Sequence, residues 1–150
     1  MEYESIRKRL LALPALGAID SSSIRKSVLH FHFFISDQAI SSAGLKTDRI
    51  VRSRVLGAEL LISVRPYHWF VAEYDPDHDI CFGFVHHGDW ERGVWQSFGL
   101  EEVLSFRLGN IKVQFDKNWT PKTIVDLYKR ERCYVEYADS SPIGAPAEAV

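Results

Sequence analysis

His30 and His32 stand two residues apart in the run Val28-Leu29-His30-Phe31-His32-Phe33-Phe34-Ile35. On a strand, that spacing projects both imidazoles from one face, about 6.5–7 Å apart. Zinc held by two imidazoles needs a third ligand, which His86, His87 or an acid would have to supply. The six histidines include no HExxH, however, and adjacent residues such as His86 and His87 point to opposite faces of a strand. Asp75-Pro76-Asp77-His78-Asp79 places carboxylates at alternate positions, like the start of a calcium loop. Ile80 and His86 then occupy the positions where an EF-hand needs glycine and a bidentate glutamate, so a solvated hairpin turn is expected.

Nucleophilic chemistry has no better footing. Ser97 lies in Trp-Gln-Ser-Phe-Gly without the leading glycine of a nucleophile elbow. Cys81, between Ile80 and Phe82, reads as a small apolar strand residue. Glu101 and Glu102 occupy successive helical positions and diverge. Phosphate-cradling glycine loops are absent from the sequence. The expectation is therefore a non-enzymatic protein without a cofactor. A small metal-dependent hydrolase or nuclease using His30 and His32 is the alternative.

Binding residues are easier to pick out. Lys46, Arg49, Arg52 and Arg54 are opposed locally only by Asp48. If this stretch is helical, Arg49 and Arg52 share a face; if it is extended, Arg52 and Arg54 do. Such a patch suits an acidic protein surface or phosphates. Trp90 stands in the polar loop Gly88-Asp89-Trp90-Glu91-Arg92, and an exposed tryptophan near arginine is typical of interface anchors. The candidate partner-binding residues are thus Arg49, Arg52, Arg54, His86, His87 and Trp90. A host protein is the expected partner, with nucleic acid held through Arg49, Arg52 and Arg54 as a further alternative.

The whole chain must position these groups. Its 150 residues carry 18 Lys+Arg and 20 Asp+Glu, a net charge of -2, with 46% apolar and 25% charged residues. That is a globular composition of one-domain size, large enough to fold without a disulfide or metal. Near-neutrality excludes a bulk electrostatic grip on DNA, and no apolar run is long enough to span a membrane. The mixed charges of Glu2-Tyr3-Glu4-Ser5-Ile6-Arg7-Lys8-Arg9 are unlike a signal peptide. Cys81 and Cys133 form no CxxC and are expected to be reduced thiols. A cytoplasmic protein is the expectation.

Helical spacing of Ile6, Leu10 and Leu13 predicts a helix over 3–13, stopped by Pro14. Ser21-Ser22-Ser23 suits a loop or cap. Leu29, Phe31, Phe33 and Ile35 form one apolar strand face, and Ser36 or Asp37 caps a short helix closed by Gly44. Strands follow at Leu60–Val64, Trp69–Tyr74 and Ile80–Val85, the last two joined as an antiparallel hairpin. Gly93–Gln96 is short strand material, and Ser97 is placed to cap a helix from Leu100. Ile111, Val113 and Phe115 alternate as a half-buried strand, and Thr120-Pro121 predicts the start of a helix to Arg132. Grouped rather than alternating elements predict an α+β fold, a mainly antiparallel sheet with helices packed on one face. The single domain covers 1–137, followed by a flexible tail at 138–150.

From about residue 64 to 128 the chain resembles an uncharacterised family of small proteins carried by phages and plasmids. The shared features are Arg65-Pro66 before Trp69-Phe70-Val71-Ala72-Glu73-Tyr74-Asp75, then Phe82-Gly83-Phe84-Val85 and Gly93-Val94-Trp95-Gln96. Asn118-Trp119-Thr120-Pro121-Lys122-Thr123-Ile124 resembles the opening of that family's last helix. The family's serine-leucine helix start is stretched here to Ser97-Phe98-Gly99-Leu100, and the resemblance does not extend to the first 55 or so residues. The resemblance carries no catalytic residues. It implies a mobile-element accessory protein, a setting rich in inhibitors of host defence; with the charged and aromatic candidates above, the expectation is a protein that binds and occludes a host macromolecule as a defence inhibitor.

Overall fold

A computed structural model of the protein describes residues 2–15 and 27–130. The first half comprises α1 (Glu2–Leu10), β1 (Val28–Leu29), β2 (Phe31–Ile35), α2 (Asp37–Ser42), β3 (Ile50–Val55) and β4 (Ala58–Ser63). Next come β5 (Tyr67–Asp75), β6 (Ile80–His86), a 3-10 turn at Trp90–Arg92, β7 (Val94–Gly99) and α3 (Leu100–Ser105). The short strands β8 (Arg107–Leu108), β9 (Ile111–Lys112), β10 (Gln114–Phe115) and β11 (Lys122–Thr123) lead into α4 (Ile124–Arg130). The serine cluster at 21–23, Cys133, the expected helix end at 131–132 and the tail at 138–150 lie outside the described residues.

Strand β5 organises the molecule. It lies inside a five-stranded sheet of order β10-β2-β5-β6-β7, and every pairing among the described residues is antiparallel. The expected hairpin of β5 and β6 is present, with Trp69 opposite Val85 and Phe70 opposite Phe84. The register shifts between Val71 and Glu73, a bulge that increases local twist. Gly83 permits the close approach there, because a Cβ on it would lie 1.7 Å from the Phe70 carbonyl oxygen. No other residue fits without moving the backbone.

Alternation along the sheet separates two apolar clusters. Phe31, Phe33, Ile35, Trp69, Val71 and Val85 join one, together with Ile6, Leu10, Ile40, Leu100 and Val103 from α1, α2 and α3. Phe70, Ala72 and Phe84 join the other, with Ile124 and Leu127 from α4. Helical side chains therefore feed both clusters, which differs from the expectation of helices on one face. Leu29 is buried as predicted, yet it belongs to the second cluster while Phe31, Phe33 and Ile35 belong to the first. Strand pairing changes at His30: β1 pairs β11, whereas β2 pairs β5 and β10.

Several helix starts differ from the sequence reading for identifiable reasons. Ser36 does cap α2, its hydroxyl accepting from the Ala39 N–H at 3.1 Å. Ser97, by contrast, remains in β7; Gly99 caps α3, and its N–H donates to Glu102 Oε1. Thr120-Pro121 does not open the last helix. β1 recruits Lys122 and Thr123 as a strand first, and Thr123 Oγ1 then accepts from the Asp126 N–H. The alternating run around Val113 is divided between β9, paired with β8, and β10, paired with β2.

Candidate interaction surface

The basic stretch is extended, with β3 and β4 forming a separate two-stranded sheet. Its two-residue turn, Leu56-Gly57, has positive φ at both positions (51° and 85°), the pattern of a type I′ hairpin. Glycine adopts that conformation readily, whereas leucine does so against its side-chain sterics. The Leu56 N–H donates to Ser105 Oγ at 3.3 Å, and Ser105 Oγ donates to the Glu102 carbonyl, tying the hairpin tip to α3.

Alternation sorts the hairpin into unequal faces. Val51, Ser53 and Ile62 are at least half-buried on the inner side. Ile50, Arg52 and Arg54 line the outer side of β3, with Leu61 opposite Arg52 and Glu59 opposite Arg54. Leu61 is 73% exposed and Ile50 59%. Arg52 Nη1 lies 3.7 Å from Glu59 Oε1, a solvent-exposed pair that contributes little to folding. Arg54 has no ion pair within 4 Å among the described residues. Arg49 precedes β3, where its carbonyl accepts from the Val64 N–H at 2.7 Å, so it sits at the hairpin base and not in the Arg52–Arg54 row.

The remaining candidate residues are dispersed. His87 is exposed and packs its ring 4.4 Å from that of Tyr67. It borders a groove between the sheet and the hairpin's inner side, lined also by Val55, Leu60, Ile62, Phe106 and Gln96. Desolvation of its ring against the groove, and then the positive charge of Arg65, lower its pKa. His86 is half-buried and joins a ring stack on the opposite sheet face from His87. Trp90 lies in the 3-10 turn, and its side chain is outside the described residues.

That stack crosses three strands. His32 lies nearly parallel to Phe70 at 4.3 Å and to His68 at 5.2 Å, and His68 stacks on His86 at 4.6 Å. His32 Nε2 and His68 Nδ1 share a hydrogen bond of 3.0 Å, which requires one of the two nitrogens to be unprotonated. Burial, reinforced by His87, holds the His68 pKa down to about 4. Burial with the neighbouring imidazoles His68 and His87 holds His86 down to about 3. His86 Nδ1 accepts from the Gly88 N–H, consistent with a neutral ring. Trp119 completes the face, its Nε1 donating to the Leu29 carbonyl and its ring carrying the Lys122 ammonium at 3.6 Å. His30 is half-buried and its pKa is lowered by burial. Among the described residues no group of three or more His, Cys, Asp or Glu is placed to hold a metal ion.

Besides the ring stack, two features escaped sequence reasoning. The apolar run Leu60–Val64 gave a strand signal without revealing that Leu61 faces outward beside Arg52. Asp79 is more than a solvated turn residue: it accepts hydrogen bonds from Tyr3 (2.5 Å) and Tyr74, joining α1 to the β5–β6 turn. Both tyrosine pKa values rise, for Tyr74 first through burial and for Tyr3 first through the Asp79 bond. Among the described residues no helix is long and apolar enough to cross a membrane. Comparison with protein-family models, curated proteins and solved structures finds no match to this chain.

Proposed function

We propose that the protein is a non-catalytic binding protein whose β3–β4 hairpin occludes an acidic surface of a host protein. The observation that carries this reading is the outer hairpin face, where Arg52 and Arg54 stand beside exposed Ile50 and Leu61. Arginine supplies planar, weakly hydrated hydrogen-bond donors, and the neighbouring aliphatics supply area that gains by leaving water. Arginine is the charged residue enriched at interface centres, where lysine and the acids are depleted. Taken with the resemblance to phage- and plasmid-borne proteins, the reading extends to a cytoplasmic accessory protein that inhibits a host defence component.

Quantitative capture tests it. Tagged protein is incubated with nuclease-treated bacterial host extract beside the Arg49→Glu/Arg52→Glu/Arg54→Glu variant, and bound proteins are measured by mass spectrometry. The expected result is one host protein near stoichiometry, reduced at least about tenfold by the charge reversal. Equal recovery by both forms removes the arginines from the interface. A metal-dependent hydrolase or nuclease using His30 and His32 would instead carry stoichiometric metal on elemental analysis. A nucleic-acid binder would show steeply salt-dependent binding.

A further inference from the structure

We infer that the outer edge of β7 is the pairing surface of a two-fold dimer of this chain. β7 is the last strand in the order β10-β2-β5-β6-β7 and pairs only with β6 among the described residues. An open edge offers alternate N–H and C=O groups to another strand, and proteins usually blunt it with charge, proline, a bulge or brevity. The opposite edge follows that rule, since β10 is two residues long and is flanked by Lys112, Asp116 and Lys117. β7 does not: Val94-Trp95-Gln96-Ser97-Phe98-Gly99 has no charge, no proline and a regular register with β6. Val94 is 40% exposed, and Gln96 and Ser97 are exposed with it.

The charges stand just beyond the strand ends and are of opposite sign. Arg92 precedes β7 with a side chain 85% exposed, and exposed Glu101 and Glu102 follow it in the first turn of α3. Two antiparallel copies of β7 bring each Arg92 to the Glu101 end of the other, so the surface is complementary to itself, as a two-fold interface requires. Arg92 Nε lies 3.2 Å from Asp89 Oδ2, which leaves the remaining guanidinium donors for a second carboxylate.

The backbone permits a symmetric register. Gly99 stands opposite Ile80 on β6, yet its N–H is turned to Glu102 Oε1 at 3.3 Å. With alternation, the peptide groups of Trp95 and Ser97 then point outward and those of Val94, Gln96 and Phe98 toward β6. A dyad at Gln96 lets Trp95 of one copy exchange hydrogen bonds with Ser97 of the other. It also sets Val94 opposite Phe98 on one face of a continuous sheet.

Sedimentation velocity on the full chain from low to high micromolar concentration tests the dimer. Wild type is expected to dimerise with rising concentration. Ser97→Pro, which removes an outward N–H at a position where an edge strand tolerates proline, is expected to be monomeric throughout. Arg92→Glu is expected to weaken association at least about tenfold, and adding Glu101→Arg to restore it. If circular dichroism finds Ser97→Pro unfolded, the charge-swap pair decides alone. A wild-type chain that stays monomeric overturns the proposal and leaves the edge to an extended peptide of another protein. Dimerisation unchanged by Arg92→Glu, or not restored by the swap, overturns it equally. None of these residues lies on the β3–β4 hairpin, so failure here leaves the binding proposal standing.

Discussion

The ring stack on the central sheet and the outer face of the β3–β4 hairpin both set polar groups among apolar ones, with opposite outcomes. In the stack, His32, His68 and His86 lie against Phe70 and one another, and burial keeps His68 and His86 neutral near pH 7. On the hairpin, Arg52 and Arg54 are exposed, and Ile50 and Leu61 stay exposed beside them. The first arrangement uses polar side chains as shape and suppresses their chemistry. The second leaves apolar area uncovered, which favours contact with another molecule. Histidine number is therefore a poor guide to where polar groups meet solvent in this chain, because the stacked rings are largely withdrawn from it.

The comparison breaks first if the sheet tolerates insult. Gly83→Val is expected to abolish folding, read as loss of the cooperative thermal transition, because the new Cβ has no room against the Phe70 carbonyl. Phe84→Ala removes a fully buried ring from the α4 side and should cost about 3–5 kcal/mol in denaturant titration.

Acid sharpens the contrast. His68 and His86 have folded pKa values of about 4 and 3 against an ordinary 6.5, so the unfolded chain binds more protons between those limits. Their stabilising effect is complete above pH 6.5 and is lost as pH falls toward the folded values, by up to about 1.4 kcal/mol per pH unit for each ring. His86→Phe should make the acid limb of the stability–pH curve shallower.

Asp79→Asn keeps a residue suited to positive φ but weakens acceptance from Tyr3 and Tyr74. A loss of about 1–3 kcal/mol is expected, with unchanged circular dichroism. The smallest effect belongs to the hairpin: Leu61→Ser and Arg54→Ala should change stability by less than about 0.5 kcal/mol. A larger loss would mean that this face supports the fold.

Local signals carried much of the architecture. The alternation at Phe31, Phe33 and Ile35 predicted a buried face, and the turn-rich stretch between two β-branched and aromatic runs predicted the β5–β6 hairpin. Errors arose where a distant partner outweighed a local preference. Thr120-Pro121 has the chemistry of a helix start, but pairing with β1 draws Lys122 and Thr123 into a strand. Leu56 is a poor residue for a type I′ turn, so the β3–β4 hairpin had no turn signature. The arginines were legible as a charged run, and their union with Leu61 was not, because it depends on cross-strand register. The same reason hid the histidine stack, whose members come from three separate strands.

The most direct test of the contrast is capture from the same extract by wild type, Arg52→Glu/Arg54→Glu and His86→Phe, with all three shown by thermal melting to be folded. The hairpin variant is expected to lose the host protein while His86→Phe retains it at the wild-type level. Retention by the hairpin variant together with loss by His86→Phe would contradict the account and move the functional surface to the other side of the sheet.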